Sequence, residues 1–151
     1  MLNQPFPDFE LPATSGKLFV LSQQAGRTLV IYFYPKDSTP GCTTEGQQFR
    51  DLNDQFLAYN VNIVGISRDS LKSHENFKTK QNFPFELLSD SDELACNLFS
   101  VMKMKNMYGK QVRGIERSTF VIDASGVVRR EWRGVKVNGH AQEVLDFIKT
   151  L

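Results

Sequence analysis

The chain has 151 residues with 18 basic and 17 acidic side chains, two histidines and two cysteines. Its 40% hydrophobic and 23% charged content fits a folded chain long enough for a hydrophobic core and argues against disorder. A net charge of +1 offers no cationic footprint for nucleic acid or an anionic membrane, and two cysteines cannot build a disulfide scaffold or, with two scattered histidines, a zinc cluster.

Met1–Phe6 has neither the basic nor the apolar region of a signal peptide, and no apolar run reaches the roughly 18 residues of a membrane span. The expectation is one cytoplasmic domain over residues 1–151. Up to Leu21, Pro5, Pro7, Pro12 and Gly16 predict an irregular strand or small hairpin. Thr28–Tyr34 is a continuous β-branched and aromatic run stopped by Pro35, the pattern of a buried central strand. Phe49, Leu52, Phe56 and Tyr59 recur at helical steps, and Val61–Ile66 is a second apolar strand. Together they predict a βαβ unit with a parallel strand pair.

Ser70–Gln81 reads as a helix with Leu71, His74, Phe77 and Lys78 on one side. Phe85–Leu88 reads as a short strand, and the acidic Asp90–Glu93 opens a short helix whose Leu94, Leu98 and Val101 face inward. Residues 101–116 show no clean period and read as a long loop. Ser118–Asp123 and Val127–Trp132 flank a glycine-containing turn and predict a hairpin, with Trp132 packed in the core. Asn138 caps a last helix striped by Ala141, Val144, Leu145 and Ile148, while His74 and His140 fall on helix surfaces. These elements predict a three-layer α/β domain.

Tyr34–Glu45 joins the strongest strand to the strongest helix. Thr39 suits the N-cap and Pro40 the first helical position, which places Cys42 in the first turn. Unpaired backbone N–H groups and the helix dipole there favour thiolate over thiol, and the thiolate is the nucleophile. Cys42 is thus a candidate reactive residue, with a small buried hydrophobe as the alternative. Glu45 reads as a first-turn acid, and Arg117 as a residue that could pair with Glu116 or another carboxylate.

Pro35-Lys-Asp-Ser-Thr39-Pro-Gly-Cys42 fits the Pro-x-x-x-Thr-x-x-Cys motif of peroxiredoxins. With Phe33–Glu45, Ser67–His74, Phe85–Asp90, Met107–Lys110 and Gly114–Phe120, the chain resembles the bacterioferritin comigratory protein or peroxiredoxin Q branch over nearly its whole length. The resemblance implies a thioredoxin-like three-layer sandwich, with a central mixed β-sheet flanked by helices. It also implies thiol-dependent reduction of hydrogen peroxide and organic hydroperoxides to water and alcohols, without cofactor or metal. Carried over residue by residue, Cys42 is the peroxidatic cysteine, Thr39 orients the peroxide, Pro35 shields the thiolate and Arg117 stands beside it. Sulfur attack on an O–O bond builds charge on the leaving oxygen, which a guanidinium fork and helix-start N–H groups can stabilise.

Relatives in this branch carry a resolving cysteine at positions that here hold Gln47 or Lys78. The other thiol, Cys96, reads as a buried hydrophobe beside Leu94, Leu98 and Phe99. A resolving role is the alternative, and it requires Cα atoms within roughly 7 Å or local unfolding. The expectation is a one-cysteine mechanism in which an external thiol reduces a Cys42 sulfenic acid. Thioredoxin, or glutaredoxin with glutathione, would serve as reductant for a monomer that engages neither nucleic acid nor membrane. An atypical two-cysteine enzyme using Cys96 and a non-catalytic redox sensor or binding protein are the competing readings. Cys42 lacks the Cys-x-x-Cys pattern of a general thiol–disulfide oxidoreductase.

Overall fold

The apolar run from Thr28 forms the central strand of the computed structural model, which describes residues 1–151. Strand β3 (Thr28–Phe33) pairs in parallel with β4 (Val61–Ser67) and antiparallel with β8 (Ser118–Ile122). Its side chains alternate between two cores. Leu29, Ile31 and Phe33 enter one, and Val30 and Tyr32, with Tyr34 just beyond the strand, enter the other. Both faces are dry, which is why the run is apolar without interruption. Strand β5 (Glu86–Ser89) extends the parallel side, followed by the hairpin of β1 (Glu10–Ala13) and β2 (Lys17–Val20). Strand β9 (Val128–Arg133) closes the other edge, and the order is β2-β1-β5-β4-β3-β8-β9.

Helices α1 (Pro40–Ala58), α2 (Leu71–Gln81) and α4 (His140–Ile148) bury Phe49, Phe56, Phe77, Val144 and Leu145 against the Tyr32 face. The opposite face is covered by the short α3 (Leu94–Leu98) and the N-terminal segment, where Phe6 stacks on Phe99 at 3.9 Å. A mixed sheet between helical layers is the architecture the sequence predicts, and no helix is long and apolar enough to cross a membrane.

Residues 101–116 are not a loop. Strands β6 (Met102–Met107) and β7 (Lys110–Ile115) form a separate two-stranded ribbon that turns at Tyr108 and Gly109, both with positive φ. Most of its side chains are exposed on both faces, so no hydrophobic alternation marks it. On α3 the inward face belongs to Ala95 and Cys96, while Leu94 is 46% exposed. Glu93 occupies the N-cap in a left-handed conformation, and Asp90 instead accepts the Cys96 N–H at 2.7 Å. Leu71 and Tyr59 are exposed, and Gly139 rather than Asn138 caps α4. Trp132 is partly buried, edge-on to His140 and Phe147.

Both histidines are buried, against the surface placement the sequence suggests. Each has partners distant in sequence: His140 Nε2 shares a 2.8 Å hydrogen bond with the Thr119 hydroxyl, and His74 bridges Asp37 and the Leu88 carbonyl.

Candidate active site

Tyr34 N–H donates to the Ile66 carbonyl, carrying the parallel ladder one residue past β3. Pro35 has no N–H to continue it, so the chain leaves the sheet and turns into α1. Thr39 is the N-cap and Pro40 the first helical residue, as the sequence indicates. The Thr39 hydroxyl does not cap the helix, however; it donates to the Lys36 carbonyl at 2.8 Å. Its proton is therefore engaged and its lone pairs are free, because capping takes up none of its acceptor capacity. Cys42 is the third residue of α1 and 2% exposed. The N–H groups of this first turn have no acceptor a turn behind them within the helix.

Arg117 lies between β7 and β8. Its Nη2 donates to Cys42 Sγ at 3.4 Å and its Nη1 to Glu45 Oε1 at 2.6 Å. A Cβ on Gly41 would stand 3.2 Å from Nη2, so the bare backbone there lets the guanidinium close on the thiol. Burial opposes the Arg117 charge, but Glu45 and Cys42 outweigh it and raise the pKa above the usual arginine value. Glu45 is not a first-turn acid. It is buried, with Oε2 unpartnered, and desolvation outweighs the attraction of Arg117, pushing its pKa from 4.5 up to about 7. Cys42 and Glu45 are three residues apart on one helix, so one guanidinium from the facing segment reaches both. That spacing was the available signal for the pair.

The ribbon borders this site. Lys105 donates to the Ile115 carbonyl, and burial together with the Arg117 charge lowers its pKa.

The second thiol is elsewhere. Both cysteines are free and buried, but Cys42 belongs to the core under α1 while Cys96 belongs to the core on the other face of the sheet. Cys96 is 0% exposed, and burial, then Asp90, push its thiol pKa far up. Gln47 donates from Nε2 to Gln81 Oε1 at 3.0 Å, linking α1 to α2, and Lys78 pairs with Glu86 at 3.1 Å. The structure therefore brings Cys42, Thr39 and Arg117 together around the start of α1, with Pro35 at the end of β3, and leaves Cys96 apart.

The sequence model of the AhpC/TSA family matches residues 2–131. Peroxiredoxin Bcp of Xanthomonas campestris pv. campestris is 54% identical over 151 residues, covering 99% of this chain and 94% of the relative. Peroxiredoxin Bcp of Bacillus subtilis is 45% identical over 150 residues, covering 99% and 96%. The solved structure of the Xanthomonas campestris bacterioferritin comigratory protein, studied for alkyl peroxide reduction, superposes with a TM-score of 0.90 at 54% identity. It covers 94% of this chain and 90% of that one. A peroxiredoxin Q structure from Xylella fastidiosa gives a TM-score of 0.95 at 44% identity, covering 99% and 96%. With the family's motif residues gathered at one helix start, the chain belongs to the AhpC/TSA family and, within it, to the Bcp or peroxiredoxin Q peroxiredoxins.

Proposed function

We propose that this thiol-dependent peroxidase works through Cys42 alone, with the reducing equivalents supplied by an external thiol. The observation that carries the reading is the Arg117 guanidinium, fixed at 2.6 Å by the buried Glu45 and aimed at Cys42 Sγ from 3.4 Å. The Cys42 thiolate attacks one oxygen of the hydroperoxide as the O–O bond breaks. Sulfur is oxidised to the sulfenate level, and the second oxygen leaves as water or alcohol after taking a proton. The fixed guanidinium and the N–H groups of the first turn lie where negative charge develops on the leaving oxygen, and preorganised donors of this kind lower the barrier most. Thr39, its proton given to Lys36, offers lone pairs that accept from a peroxide O–H and so orient the substrate. Pro35 offers the site ring carbons and no donor, which limits water near the sulfur.

The sulfenic acid then condenses with an external thiol to a mixed disulfide, releasing water, and a second thiol displaces Cys42 as thiolate. Thioredoxin, or glutaredoxin with glutathione, is the proposed reductant, acting on a cytoplasmic monomer whose residues 1–151 form one domain. Placement of Cys96 on the other face of the sheet supports the external thiol over an internal resolver. Peroxidase activity should vanish in Cys42→Ser and persist in Cys96→Ser. Mass spectrometry after one equivalent of peroxide should find a Cys42 sulfenate in wild type and in Cys96→Ser. A Cys42–Cys96 disulfide confined to wild type would refute the one-cysteine mechanism.

A further inference from the structure

The segment from Tyr34 to Thr39 is irregular, yet it carries two of the proposed site residues. Asp37 in its middle is buried, although Lys36 and Ser38 on either side are exposed. Its carboxylate accepts from the Tyr34 hydroxyl at 2.6 Å and the Ser73 hydroxyl at 2.7 Å, and His74 Nδ1 lies 2.7 Å away. His74 Nε2 lies 2.9 Å from the Leu88 carbonyl, so the segment is tied through α2 to β5.

The backbone of Asp37 is held as firmly. Its N–H donates to Asp69 Oδ2 at 2.9 Å, and the same oxygen accepts from the Ser67 hydroxyl at the end of β4. Ser89 in turn donates to the Asp69 carbonyl at 2.6 Å. The carbonyl in the same peptide plane as the Asp37 N–H is that of Lys36, and it accepts the Thr39 hydroxyl. One peptide unit therefore connects the Asp69 carboxylate to the Thr39 side chain. Between them Ser38 takes a left-handed φ of 62°, a conformation that a non-glycine residue keeps only when its surroundings impose it.

We propose that Asp69, with Asp37 and His74, is a positioning device that fixes the 36–37 peptide plane and thereby aims the Thr39 oxygen at the peroxide. The inference rests on the role proposed above for Thr39 and extends it to residues that make no hydrogen bond to Cys42 or Arg117. A charge-assisted bond from a peptide N–H to a carboxylate suits this task, because it is short and directional. The three side chains also stand at metal-ligand spacing, their ligand atoms within 4.8 Å of one another. Asp37 Oδ2 is already in direct contact with His74 Nδ1 and Oδ1 with Tyr34, so the geometry is that of a hydrogen-bonded clamp.

The test is a double-mutant cycle on the peroxide step, measured by rapid-quench mass spectrometry of Cys42 in the reduced full-length chain. Asp69→Ala should slow the step about tenfold, and Thr39→Val should slow it more. The double variant should match Thr39→Val within about twofold, because the aim of a missing hydroxyl no longer matters. Asp69→Asn keeps an acceptor oxygen for the Asp37 N–H and should stay close to wild type. Independent, multiplying losses in the double variant would overturn the positioning role, as would a wild-type rate for Asp69→Ala beside a slow Thr39→Val. A wild-type rate for Thr39→Val would instead remove the role of Thr39, and the proposal with it. Tyr34→Phe and Ser73→Ala each take one donor from Asp37 without opening a large cavity. They repeat the cycle should Asp69→Ala fail to fold.

Discussion

Glu45→Gln isolates the cost of keeping a carboxylate under Cys42. Desolvation raises the Glu45 pKa from 4.5 to about 7 despite the Arg117 guanidinium. A folded-state value above the unfolded one means that the native protein holds this proton more tightly. The associated stability is full below pH 4.5 and is lost as pH rises through 7. At about 1.4 kcal/mol per pH unit, roughly 2–3 kcal/mol disappears between pH 5 and pH 8, most of it below pH 7. Glutamine does not titrate, and groups common to both proteins cancel in the difference. Urea unfolding of reduced wild type and Glu45→Gln at several pH values should therefore show wild type losing about 2–3 kcal/mol relative to the variant over that range. A difference that is flat with pH, or one that favours wild type increasingly as pH rises, would refute the reasoning. Either result would mean that Arg117 holds the carboxylate ionised and that desolvation is the smaller effect.

Two further substitutions test Arg117, which faces this helix, and Gly46 within it. Arg117→Ala removes the donor aimed at Cys42 Sγ and should slow the peroxide step by about 10²–10³, read in single-turnover kinetics; a loss under tenfold would count against electrostatic stabilisation by this residue. Gly46→Ala would ordinarily steady a helix interior by about 0.5–1 kcal/mol. Here the new Cβ would collide with Phe83 Cζ and lie 2.9 and 3.0 Å from two more ring atoms, so overpacking should win. The expected result is a net loss of about 1–3 kcal/mol in urea unfolding, and a stabilised variant would show that the Phe83 ring can move aside.

What the sequence shows of this protein is what is decided locally. Thr28–Tyr34 is apolar throughout because both of its faces are covered, and Thr39-Pro40 marks the start of α1 because capping depends on adjacent residues. The ribbon over 102–115 escapes a pattern reading because its two strands pair only with each other and expose most side chains. The turn at Tyr108 and Gly109 also lacks the Asn-Gly signal of a tight hairpin. Burial of His74 depends on Asp37, and burial of His140 on Thr119, partners far along the chain that no window contains. Glu45 lies between these cases: its spacing from Cys42 is local, but its partner Arg117 is supplied by the far end of the ribbon.

The alternation along β3 also bears on the second half of the catalytic cycle. Leu29, Ile31 and Phe33 point toward the core that holds Cys96, while Val30 and Tyr32 point toward the one that holds Cys42. A bond between the two sulfurs would require one of their helices to leave its face of the sheet. For α3 that means exposing Ala95, Cys96 and the neighbouring Phe99, all at 0% accessibility. Burial of these three side chains in a close-packed core is worth several kcal/mol, with Phe99 alone contributing on the order of 1.5–3 kcal/mol. The external thiol of the proposed cycle would face a smaller barrier. Cys42 is 2% exposed, enough to require some opening for anything larger than a peroxide, but it sits in the first turn of α1, where helices fray at least cost. In the proposed one-cysteine cycle the reductant's route to sulfur would run through the Pro40–Cys42 turn, and the clamp proposed for residues 34–39 would have to loosen for this opening.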